Sequence, residues 1–224
     1  MTNLLDLYPL TSSIAFIQAN INAFADEFVN WKEPLILEDK NSLKKKIVKG
    51  DLRNIVLSLC PLTTVEIRRF LILPTRSDWV AFLDNSHTGT DRTAPSVIAE
   101  KLKANYAYIV YNYKNKDVML DYHGNFGGID GYHRSIAAFR ENRLEFYQYG
   151  VPLPFEKVDQ YSNKRIKDRF NFELLNEYLK ALGIDAFNEA FYDCEKGGIL
   201  IDQIGPKFPA TKELTLQQAR DFYL

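Results

Sequence analysis

The sequence predicts an α+β fold: a single mostly antiparallel sheet of about six strands, flanked by N- and C-terminal helices. Three observations lead there. Apolar residues recur at spacings of three and four in the first and last thirds of the chain. Short continuous apolar runs bounded by turn residues fill the middle. Those runs follow one another at hairpin distances, with one helix inserted, instead of alternating regularly with helices. The expected organisation is one domain over 1–224, helical over 1–62, sheet-rich over 68–150 and helical again over 154–224.

In chain order, Ile14, Ile17, Ile21, Phe24, Phe28 and Trp31 mark one stripe of a first helix, begun by the cap candidates Thr11, Ser12 and Ser13 and stopped by Pro34. A second helix is expected from Asn41 to Gly50 on Leu43 and Ile47. A third is capped by Asp51, carries Leu52, Ile55, Val56 and Leu59 inward and closes at Pro61. The runs at 69–73 and 79–83, joined by Thr75, Arg76, Ser77 and Asp78, read as a hairpin covered on both faces. A helix capped by Thr93 follows, with Pro95 in its first turn. Strands are then expected at 106–113, 118–122, 135–139 and 144–149, with a glycine-rich loop at 124–131 and a turn at Glu141 and Asn142. Beyond Pro154 come a short helix at 155–161, a long helix through Phe170, Leu174, Tyr178 and Leu182 ending at Gly183, an edge strand at 198–202, and a last helix capped by Thr215.

Composition narrows the class. The 224 residues are 46% apolar, 13% aromatic and 25% charged, with a formal net charge of -1. That is enough apolar material to offset the ordering entropy that leaves polar chains disordered. No run approaches the ~18 apolar residues of a membrane span. The opening Met1-Thr2-Asn3-Leu4-Leu5-Asp6 lacks the basic and apolar regions of a secretory signal. Near-neutral charge disfavours a dedicated nucleic-acid binder. The two cysteines, Cys60 and Cys194, read as reduced thiols of a cytoplasmic protein, and the acidic neighbours of Cys194 disfavour its thiolate.

Four groups of residues carry candidate chemistry. After the tryptophan strand, Asp84, Asn85, His87, Thr88, Thr90 and Asp91 gather on a loop before a helix. Asp84 and Asp91 with His87 would suit acid–base work or cation binding; the same residue types also build Asx turns and helix caps. The glycine-rich loop lacks the Gly-Lys-Ser/Thr ending of a phosphate loop. The three histidines, His87, His123 and His133, show no pair at metal-ligand spacing, so no metal and no cofactor are expected, although a hairpin could bring His123 and His133 together. Basic residues cluster at Lys44, Lys45, Lys46 and Lys49, and at Lys164, Arg165, Lys167 and Arg169; both clusters suit solvated helix faces. No nucleophilic hydrolase signature occurs.

Tyrosine is the compositional anomaly. Tyr106 and Tyr108 share one face of a strand, Tyr111 and Tyr113 the other, and Tyr122 lies on its neighbour. Exposed tyrosines supply large contact area at low entropy cost, so these five residues are the expected binding set.

The stretches Trp79-Val-Ala-Phe-Leu-Asp-Asn with Gly89-Thr-Asp, Arg134-Ser-Ile-Ala-Ala-Phe, Gly150-Val-Pro-Leu-Pro-Phe-Glu and Ile166-Lys-Asp-Arg-Phe resemble an uncharacterised family of bacterial proteins, over roughly residues 68–192. In size and style the chain also resembles the immunity proteins of bacterial toxin systems. The resemblance implies no activity and assigns no catalytic residue. The expectation is a non-catalytic cytoplasmic protein-binding module, an immunity protein being one such case, with a protein partner and no membrane. The alternative is a small-molecule hydrolase using Asp84, His87 and Asp91. A third reading is a nucleic-acid binder using Lys164, Arg165, Lys167 and Arg169.

Overall fold

The structure, a computed structural model, describes residues 4–140 and 142–222. Met1, Thr2 and Asn3 of the opening segment and Glu141 of the expected turn lie outside the described residues. The strands are β1 (Ser13–Ile17), β2 (Ser42–Val48), β3 (Leu62–Thr63), β4 (Arg69–Pro74), β5 (Val80–Asp84), β6 (Tyr106–Asn112), β7 (Asp117–Phe126), β8 (Ile129–Arg140), β9 (Leu144–Tyr149), β10 (Gly198–Ile204) and β11 (Glu213–Leu214). The helices are α1 (Ile21–Ile36), α2 (Leu52–Leu57), α3 (Thr93–Leu102), α4 (Phe172–Ala181) and α5 (Leu216–Asp221). Among the described residues nine strands form one sheet in the order β2-β10-β4-β5-β1-β6-β7-β8-β9, and β11 pairs separately with β3. Every pairing in the large sheet is antiparallel. The fold class is as expected, and about six strands is an understatement.

Side-chain alternation builds two cores on the two faces. Ile14 and Phe16 of β1, Leu71 and Leu73 of β4, and Ala81 and Leu83 of β5 face α2, α4 and α5. Ala15 and Ile17, Phe70 and Ile72, and Val80 and Phe82 face α1 and α3 through Phe24, Phe28 and Ile98. Strands buried on both sides read as unbroken apolar runs, as β4 and β5 do.

Several expectations are corrected. The helical reading of 1–62 fails at its start, because Ser13–Ile17 is a fully buried strand between β5 and β6. The helix begins later, with Asn20 accepting from the Asn22 and Ala23 N–H groups, and Pro34 sits in its last turn without ending it earlier. The lysine-rich 42–48 segment is the outer strand β2, not a helix, and it displaces β10 from the edge to the interior. The region over 154–224 likewise contains two strands. Asp51 and Thr215 do cap α2 and α5 as expected, Thr215 with Gln218 closing a capping box, and α4 is capped by Asn171, which the sequence reading had not singled out. The short helix of 155–161 appears as a 3-10 turn at Val158–Ser162. At α3 the capping position is Arg92, without a side-chain bond; Thr93 instead donates its N–H to Asp91. No helix among the described residues is long and apolar enough to cross a membrane.

α3 packs over β1 and β6. The same face of β7, β8 and β9 carries polar and aromatic side chains that lie outside both cores. That asymmetry positions one of the clefts described next.

Candidate functional site

The loop after β5 is tied to the scaffold. Asp84, 1% exposed, accepts the N–H of Ser86 at 2.9 Å on one carboxylate oxygen and that of Asp91 at 2.8 Å on the other. Burial pushes its carboxyl up to about 7, against the pull of those two bonds. Asn85 accepts the N–H groups of Arg68 and Arg69 and donates to the Pro61 carbonyl. Asp91 accepts the Thr93 N–H at 2.7 Å, at the start of α3. The His87 Nδ1 lies 3.2 Å from the Thr63 carbonyl and its ring meets Phe222 edge-on. Asp84 and Asp91 line a cleft of about 520 Å³ with Trp31, Lys32 and Glu66, and His87 lies outside that lining. The three residues of the expected acid–base set therefore do not converge, and each side chain has a backbone partner.

The tyrosines divide by depth. Tyr106, Tyr108 and Tyr122 are buried, and their hydroxyls donate to the carbonyls of Arg92, Thr90 and Asn125. Burial raises Tyr108 and Tyr122 to about 12. These three brace the sheet and the loop before α3 and are almost wholly buried, Tyr106 also lining the cleft beside His123 and His133. Tyr111 is half-buried against Phe172, with ring centroids 4.3 Å apart, and Tyr113 is 44% exposed, edge-on to Tyr8. Both line a cleft of about 660 Å³ between the β6–β7 turn and the start of α4. Lys114, Lys116, Arg140 and Lys167 share that lining, and Glu173 is the one acid in it among the described residues. The two basic clusters noted in the sequence stay apart. Lys45 and Lys46 pair with Asp26 and Asp202 along β2, and Arg165 pairs with Asp168, so of the second cluster only Lys167 reaches the cleft.

The histidines are where spacing along the chain misleads. Cross-strand register places His123 of β7 directly opposite His133 of β8. Their rings stack at 3.8 Å, and each Nε2 reaches a different oxygen of Asp121, at 3.2 and 3.1 Å. Asp121 lies two residues before His123 and so points to the same face. Burial alone would raise its carboxyl; the hydrogen bonds and charges of His123 and His133 outweigh that and hold it below the usual range. Among the described residues these three form the group of side chains able to hold a metal ion. The legible signal was Asp-x-His on one strand with a histidine across the turn.

Arg134 of β8 and Glu156, beyond β9, are far apart in sequence, and the fold joins them. Both side chains are fully buried and paired at 2.7 Å. Arg134 also donates to the Tyr149 and Gly150 carbonyls, while Glu156 accepts from Tyr161 and from the Leu153 N–H. This network fastens the segment after β9 to the sheet. Cys60 and Cys194 are free thiols, and burial raises both. No protein-family model, curated protein or solved structure matches the chain.

Proposed function

We propose that the chain is a non-catalytic protein-binding module of the immunity-protein kind, and that it holds an acidic segment of its partner in the cleft between the β6–β7 turn and α4. The observation that carries this reading is the lining of that cleft: Tyr111, Tyr113 and Phe172 beside four cations and one acid. Aromatic anchors supply contact area, and flanking cations set orientation and approach rate. Free, half-buried thiols are in keeping with a cytoplasmic setting, where thiols stay reduced. Of the five expected binding tyrosines, the reading rests on Tyr111 and Tyr113 alone.

The test is affinity capture from the native host with the wild-type chain and with a Tyr111→Ala/Tyr113→Ala variant. Wild type should retain one protein at near-equal stoichiometry, and the variant should lose it by at least about tenfold, the scale of one lost aromatic anchor. Equal capture by both, or capture abolished by nuclease treatment, would remove the reading.

A further inference from the structure

We infer that Asp121, His123 and His133 form a binding site for a divalent first-row transition-metal ion. The site lies on the sheet face opposite the tyrosine cleft and does not depend on the reading of that cleft. Its first support is distance. Donor atoms about 2.0 to 2.2 Å from a shared ion stand roughly 3.0 to 3.4 Å from one another. The two Nε2 atoms lie 3.2 and 3.1 Å from the two oxygens of one carboxylate, within that range, and ligand atoms of all three residues fall within 4.8 Å of each other.

The second support is orientation. Two imidazoles stacked at 3.8 Å and 24° direct the same nitrogen toward one carboxylate.

The third support is the scaffold. The ligands come from two adjacent strands in register at Asp121–Ser135 and His123–His133, and the carboxylate is buried while the imidazoles are half-exposed. Behind His133, Gly150 packs its backbone so closely that an added Cβ would lie 1.9 Å from the His133 carbonyl oxygen. Three protein ligands leave coordination positions free. The same three residues line a cleft of about 500 Å³ with Arg92, Ser96, Tyr106 and Tyr149.

The donor set fixes the class of ion. Two imidazole nitrogens and one carboxylate oxygen suit zinc, iron(II), cobalt or nickel, whereas magnesium and calcium prefer oxygen donors throughout.

The test is calorimetric titration of the untagged, chelator-stripped chain with zinc sulfate, repeated with magnesium chloride. One equivalent of zinc should bind at micromolar affinity or tighter, should raise the unfolding temperature, and should shift the ring resonances of His123 and His133. Magnesium should not compete. His123→Gln and His133→Gln, at half-exposed positions, should each weaken zinc at least tenfold while far-UV circular dichroism stays as in the wild type. Absence of zinc binding by the wild type, or unchanged affinity in the folded variants, would overturn the inference. If either variant fails to fold, the wild-type resonances decide: zinc-induced shifts that spare both histidine rings would overturn it equally.

Discussion

Asp84 is almost fully buried, with both carboxylate oxygens bonded to backbone N–H groups, and burial pushes its carboxyl up to about 7. The folded chain thus keeps a proton that the unfolded chain releases near pH 4. The stabilisation is complete below that pH and is lost as pH rises through about 7. Urea unfolding between pH 4 and pH 7 should show wild-type stability falling with pH relative to that of Asp84→Asn; an identical pH dependence in the variant would contradict the account. Gly150 is constrained differently. With φ at +83° and the His133 carbonyl against it, Gly150→Ala should cost more than about 1 kcal/mol by chemical denaturation. A neutral substitution there would mean that the close approach is relieved without penalty. At this scale the loop chemistry was legible, because Asx turns and caps act within a few residues of chain. The Asp121–His123–His133 group was less so, since His123 and His133 are ten residues apart in sequence and meet only through strand register.

Elements were misread where pairing across the sheet overrode local pattern. Ile14, Ile17 and Ile21 fall at helical spacing, yet Ser13–Ile17 is a strand buried on both faces, where no polar alternation survives to reveal the two-residue period. Leu43 and Ile47 likewise suggest a helix turn apart, whereas lysines suit an outer strand whose free edge must not recruit another chain. Caps at Asp51 and Thr215 were readable because each acts on its own helix. The segment after β9 depends on the Arg134–Glu156 pair. Glu156→Ala leaves a fully buried guanidinium without its carboxylate and should cost about 3 to 5 kcal/mol. Replacing both partners together, as Arg134→Met/Glu156→Leu, should cost clearly less. A loss below about 1 kcal/mol in the single variant, read by urea unfolding, would show that the pair does not anchor this segment.

Across the whole molecule, the helices are distributed unevenly over the sheet. α1 and α3 cover one half of one face, and α2, α4 and α5 pack on the other. The uncovered half holds the histidine pair, and the cationic tyrosine cleft opens on the opposite side, beside α4. A net charge of -1 hides this local excess of positive charge, which is why composition alone did not reveal it. Cations at the cleft act mainly on the rate of encounter with an oppositely charged partner. The most direct measurement is therefore the association rate of the captured partner with wild type and with Lys114→Glu/Lys116→Glu, at low and high salt. The account predicts a rate at least tenfold lower in the charge-reversed chain and a marked fall with salt for the wild type. An association rate indifferent to both would contradict it.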